Sequence, residues 1–394
     1  MNHIKKPLYV AMFATLLFTM TGCERFSRDA KPAPQKPAKL VKIADEVSVL
    51  TKVQQVSLPQ SGGRIKGVKF NKKDVADLQV AQFRGSLVAA SRAGTVTRFS
   101  EQGQLWSVGV GEVISSGVAT NEEIVVVGTR SGKIIAIDGD TGVVSWQREL
   151  SSSSLAPALI SGNQVMVSTN DGMIYALDVA TGKSVWQFST QSPDVSVRGM
   201  ATPIALDGRT ALFGASDGRI YAIDSMTGTP LWNRRVGRAV GGSQVHRMSD
   251  VDGTPLVVGS YLFVPSYSGQ LAGFDMSSGR TMFVSEVAST KSPAWLGGNV
   301  VVSSTTGEVV AFDAMSGQKA WQNDELKYRK LTNPVNIGKY VAVGDLEGVI
   351  HVLDNEGNIV SRTQTKGALT SLSVMGGQLY AQSSEGVLTV WRIH

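Results

Sequence analysis

Side chains able to do covalent or metal chemistry are few in this sequence, and they are scattered. The histidines are His3, His246, His351 and His394, and the single cysteine is Cys23. No HExxH pair, nucleophile elbow or paired-histidine spacing occurs. One cysteine makes neither an intramolecular disulfide nor an all-cysteine metal site. Two carboxylates, Asp250 and Asp252, stand close together in "SDVDG", but the ligand series of a twelve-residue calcium loop does not follow them. On these residues the chain holds no catalytic set, no metal and no cofactor. It is expected to be a binding scaffold and not an enzyme.

A larger set of carboxylates recurs at fixed spacing. Asp138, Asp178, Asp224, Asp275, Asp313 and Asp354 each stand six residues after a glycine. They sit ahead of Thr-Gly or Ser-Gly turns, or in "DNEG", where an Asp accepts turn N–H groups and glycine supplies φ > 0. Eight residues after the Asp comes Trp146, Trp186, Trp232 or Trp321, with Phe283 in the same place once. Trp106 fills the role in a shorter turn. These aspartates are therefore read as structural and the rings as packing between sheets.

The elements that carry this pattern are strands. "VMVSTNDGMIYALDVATGKSVWQFST" (165–190) shows alternation and hairpin turns, not a helical period. The glycine recurs as Gly94, Gly132, Gly172, Gly218, Gly269, Gly307, Gly348 and Gly386. A four-stranded repeat of about forty residues is a propeller blade. The expected fold is all-β, an eight-bladed β-propeller of four-stranded antiparallel blades over 46–394. The last repeat ends at "GVLTVWRIH" without an outer strand. "TKVQQVSLP" (51–59) is expected to supply it and close the ring.

The formal net charge is +6. Much of it lies in Lys5, Lys6 and the segment 24–45, with no basic stripe over the blades, so nucleic acid is not expected as a partner. "MNHIKKPLYVAMFATLLFTMTGC" reads as a signal peptide, because its apolar run is too short to span a bilayer. "MTGC" resembles the bacterial lipoprotein processing box, which makes residues 1–22 the signal and Cys23 the lipidated, palmitate-bearing residue; an ordinary secretory signal is the alternative. Residues 23–45, rich in Pro and Lys, read as a flexible tether. Glu24, where an inner-membrane retention signal usually has Asp, favours the outer membrane.

The spacing of the repeat glycines is 38–41 residues except after Gly172 and Gly218, where it is 46 and 51. The extra residues fall in "SPDVSVRGMATP" (192–203) and "HRMSDVDGTP" (246–255). Both are connections from an outer strand to the next inner strand, so they emerge on one face and from adjoining blades. Loops on a rigid scaffold are where binding concentrates. Val195 and Val197 alternate with Ser196 and can share a face, and Arg198 is a typical interface anchor. Asp250 and Asp252 contribute carboxylates nearby. Bracing of Arg198 against them is the alternative use.

"IYALDVATGKSVW" and "IYAIDSMTGTPLW" resemble the blade repeat of quinone-dependent dehydrogenases, so a quinoprotein-like periplasmic oxidoreductase using pyrroloquinoline quinone is the competing function. The lipoprotein box, the tether, eight such blades, "SVRG" and "RMSDVDGTPLV" together resemble the BamB family, lipoproteins of the outer-membrane β-barrel assembly machinery. That resemblance implies a non-enzymatic scaffold on the periplasmic face of the outer membrane. Its partners would be the periplasmic POTRA domains of BamA, the rest of the complex and unfolded outer-membrane proteins. It also implies that Val195, Val197, Arg198, Asp250 and Asp252 form the contact set. The family commonly has leucines where this chain has Val195 and Val197.

Overall fold

Runs such as "IVVVG" and "QVMVS" are apolar without alternation, which suits strands covered on both faces. In the computed structural model, which describes residues 35–58, 78–190, 200–237 and 249–394, these runs are β7 (Ile124–Gly128) and β11 (Gln164–Ser168), and both are buried along their whole length. They belong to a series of strands, β1 to β32, that build eight four-stranded antiparallel sheets. Blades one to seven use β2 to β29 in consecutive fours. Outer strands are different in kind. In β9 (Val144–Glu149) and β13 (Ser184–Ser189) the Trp alone is buried.

The eighth blade has the order β1, β32, β31 (Gln378–Ser383), β30 (Leu369–Met375). Its outer strand is β1 (Leu50–Ser57), paired with β32 (Val387–Ile393) from Leu50↔Ile393 to Ser57↔Val387 with one bulge. The N-terminal strand thus closes the ring, as the unfinished last repeat implies. Side chains from neighbouring blades interleave in shared clusters. Val126, Ile134 and Trp146 of blade two pack with Val165, Val167 and Leu177 of blade three. Across the closure, Tyr380, Leu388 and Val390 pack with Val80, Ala89 and Phe99 of blade one.

The recurring Asp, Gly and Trp form one joint. Asp178 Oδ1 accepts from the Thr181 N–H at 2.9 Å and its hydroxyl at 2.6 Å. Asp275 is held down at about 2, chiefly by the hydroxyls of Ser277 and Ser278. The turn then meets the ring of the preceding blade. Trp146 Nε1 donates to Val179 O at 2.8 Å, and Trp186 Nε1 to Ser225 O at 2.8 Å. Gly182 has φ 67°, and a Cβ there would lie 2.5 Å from the Trp146 ring. Glycine is required twice over, by its dihedral and by the ring that covers it. Between blades four and five the joint is open. Arg234, not a ring, faces Gly279, and a cavity of about 90 Å³ lies among Trp232, Arg234, Phe274, Met276 and Gly279.

Two faces result. One carries the Asp turns and the first hairpin of each blade. The other carries the hairpins between second and third strands and the described parts of the outer-to-inner connections; we call it the connection face.

Removal of residues 46–58 leaves β32 as an exposed edge and opens the ring. The variant is expected to aggregate or to melt far below the parent in a thermal scan. An unchanged melting temperature would show that closure does not depend on β1.

Candidate functional site

Cys23, Val195, Val197 and Arg198 lie outside the described residues. The stems that carry the two lengthened connections are described, and both are fixed. The first stem returns through Ala201, which is 1 % exposed, and the second through Val251, equally buried. The two meet at one glycine of blade four. A Cβ on Gly214 would lie 2.7 Å from Ala201 Cβ and 2.7 Å from Val251 Cγ1. Beyond that contact, the Thr202 N–H donates to Thr254 Oγ1 at 3.3 Å, joining one stem directly to the other. The expected adjacency of the two insertions is therefore present at their roots.

The same bonding continues round the channel. The Thr254 N–H donates to Ser292 Oγ at 2.9 Å, and Asn333 Nδ2 to Leu372 O at 3.4 Å. Each of these polar residues precedes a proline, in Thr202-Pro203, Thr254-Pro255, Ser292-Pro293 and Asn333-Pro334. Proline holds the residue before it extended, which delivers each connection straight into its inner strand. That recurring polar-Pro pair is the sequence signal for the channel ring, and the repeat template passes over it. A space of about 40 Å³ lies among Gln79, Pro157, Thr202, Thr254, Ser292 and Asp252.

Asp250 and Asp252 do not stand at the surface. Asp250 is 0 % exposed and Asp252 is 7 % exposed. The Asp250 carbonyl accepts from the Tyr267 N–H at 2.9 Å, and the Val251 N–H donates to Ala215 O at 3.2 Å. The pair thus sits inside the second stem. Burial, with the Asp250 charge next to it, pushes the Asp252 carboxyl up to about 8, against a smaller opposing pull from Lys291. Asp252 is accordingly protonated at neutral pH. Reading Asp250 and Asp252 as carboxylates offered by a binding loop misses this, because the burial comes from blades four and five packing on the segment. Among the described residues, no group of three or more His, Cys, Asp or Glu side chains comes together as metal ligands do.

The sequence model of the family described as "Outer membrane protein assembly factor BamB" matches residues 92–323, more than half of the chain. The chain belongs to the BamB family. The BamB of Xanthomonas campestris is 30% identical over all of this chain and 99% of the relative. The crystal structure of BamB from Moraxella catarrhalis is 52% identical, covers 88% of this chain and 100% of its own, and superposes with a TM-score of 0.82. A europium-containing methanol dehydrogenase shares 12% identity at a TM-score of 0.66, over 87% of this chain and 93% of its own. That second likeness is one of fold alone.

The raised Asp252 carboxyl sets a pH dependence. An ordinary aspartate in the unfolded chain ionises near 4, whereas the folded one holds its proton to about 8. Between these values the folded state binds more protons, so this residue's contribution makes stability fall as pH rises. Asp252→Asn removes the titration. Its melting temperature relative to the parent is expected to climb between pH 5 and 8. Parallel curves for the two proteins would contradict a buried, protonated Asp252.

Proposed function

We propose that this BamB-family chain is a non-enzymatic assembly factor for outer-membrane proteins. In this reading it docks on the periplasmic POTRA domains of BamA through the two insertions of its connection face. The observation that carries the reading is the joining of the insertion stems, through Gly214 and the Thr202–Thr254 bond. Two loops rooted on one rigid platform can act as a single surface with little ordering cost on binding. Cys23, if lipidated, would hold the propeller at the periplasmic side of the outer membrane, with residues 24–36 as the lead.

The five residues implied by the family then divide by position. Val195, Val197 and Arg198, in the first insertion, would supply an apolar pair and a planar cation. Asp250 and Asp252 act as positioning residues. They lie inside the second stem and help to hold it in place. Because Val195 and Val197 are smaller than leucine, the apolar contact is narrower and Arg198 carries a larger share.

Arg198→Asp is expected to weaken capture of the isolated periplasmic domains of BamA by roughly 30-fold or more, the scale of losing an interface anchor. Its melting temperature should stay close to the parent's, since a surface substitution costs within about 0.5 kcal/mol. Asp250→Ala, in contrast, should lower the melting temperature as well as the affinity. A titration paired with a thermal melt separates the two. Unaltered affinity in Arg198→Asp would remove the first insertion from the docking surface.

A further inference from the structure

Blade seven contains a buried charged cluster that the docking face does not use. Arg329, in the connection leading into the blade, is 2 % exposed, and Asp345 and His351 are 0 % exposed. Arg329 Nε donates to Asp345 Oδ2 at 2.7 Å, and its Nη2 pairs with Glu347. His351 Nε2 lies 3.0 Å from the same Asp345 oxygen. On the other side of the ring, Arg362 Nε lies 3.2 Å from His351 Nδ1. These partners fix the tautomer. An ionised carboxylate only accepts and a guanidinium only donates, so Nε2 carries the hydrogen and Nδ1 is a bare acceptor.

Both arginines end on the segment ahead of β1. Arg329 Nη1 donates to Ala38 O at 2.8 Å, and Arg362 Nη1 donates to Val41 O. The Arg362 N–H donates to Glu46 Oε1 at 3.0 Å, and Arg362 also faces Glu325 at 3.8 Å. The Ala38 N–H bonds Lys327 O, and the Val47 N–H bonds Val360 O of β29 (Ile359–Gln364), each at 2.9 Å. Ile43 packs against the buried cluster that includes Leu326, Leu331 and Ile359. Residues 38–47 are thus a strap along the outside of blade seven. It starts on the connection face, two and three blades round the ring from the insertion stems.

We propose that this strap is an acid-released latch in which protonation of His351 withdraws Arg362 from Val41 and frees residues 38–47 from blade seven. A proton on Nδ1 replaces the only acceptor that Arg362 Nε has in the ring and sets a second donor and a second positive charge against it. The imidazolium also competes with Arg329 for the single Asp345 carboxylate. The groups facing His351 are therefore Asp345 in favour of the charge, and Arg362 and Arg329 against it; Glu347, Glu46 and Glu325 lie on the far sides of the arginines. Burial depresses the imidazole pKa, with Asp345 opposing and the two arginines adding to the depression. Withdrawal of Arg362 removes one of the charges that depress His351, so the open strap binds a proton more readily than the closed one. The latch is therefore favoured at higher pH and opens as pH falls. Release adds up to about 30 Å of free chain ahead of β1.

The test is a spin label at Ala44→Cys in the full-length chain carrying Cys23→Ser, with a second label at Lys52→Cys in β1 as reference. At pH 7.5 the Ala44 label should be immobile. On acidification to pH 5 the ratio of mobile to immobile signal should rise by up to about tenfold per pH unit, as one coupled proton allows, while the Lys52 label stays immobile. His351→Gln keeps an acceptor for Arg362 without titrating, so its strap should stay immobile throughout. Arg362→Ala should be mobile already at pH 7.5. A pH-independent Ala44 signal in the parent, the same rise in His351→Gln, or loosening of both labels together would each overturn the latch. Should His351→Gln not fold, Arg362→Ala decides alone: an immobile strap at pH 7.5 overturns it.

Discussion

A propeller blade cannot bury itself. Its second and third strands are apolar on both faces, and each face needs another blade against it. Every blade can be covered on both sides only if the row closes into a ring, so the rest of the structure depends on the pairing of β1 with β32. That pairing completes the eighth sheet, and the cluster of Tyr380, Leu388, Val80 and Phe99 seals it to the first. The Trp-on-glycine joints then act as repeated wedges at the rim. They hold neighbouring sheets at a common angle, and the Asp turns fix the loops on which the rings rest.

Closure also determines where function can reside. Once the ring is fixed, the described outer-to-inner connections leave on one face and run to the inner strands. The polar-Pro residues bond these connections to one another, so the two lengthened ones start from a common, immobile root. The strap reaches the same face from outside. Through Arg329 and Arg362, residues that precede β1 are held by residues more than 280 positions later in the chain. The stems of the two insertions and residues 38–47 are therefore both referenced to one rigid body.

Much of this is legible in the sequence because it is local and repeated. The Asp, the turn glycine and the Trp recur at fixed spacing, and each does its work within one hairpin or against the next one. The missing outer strand follows from counting strands in the last repeat. What is not legible depends on contacts distant in sequence. Residues 38–45 have no hydrophobic period and read as tether, yet their backbone carbonyls are bound by two arginines of blade seven. Asp250 and Asp252 read as contact carboxylates of a lengthened connection and are buried by neighbouring blades. His351 was open to notice, since it stands three residues after Gly348 where other repeats have Tyr175, Tyr221 or Ile135. A titratable side chain at an inward strand position needs a buried partner, but only the fold names Asp345 and Arg362.

The central claim is that the two insertions form one docking face directed at BamA. The most direct measurement places a photo-crosslinking amino acid at position 195, and in a separate chain at Met226, an exposed turn residue on the opposite face. Both chains are irradiated in intact envelopes. The account predicts a crosslink to BamA from position 195 and none from 226. Crosslinking to BamA from 226 with none from 195 would contradict it.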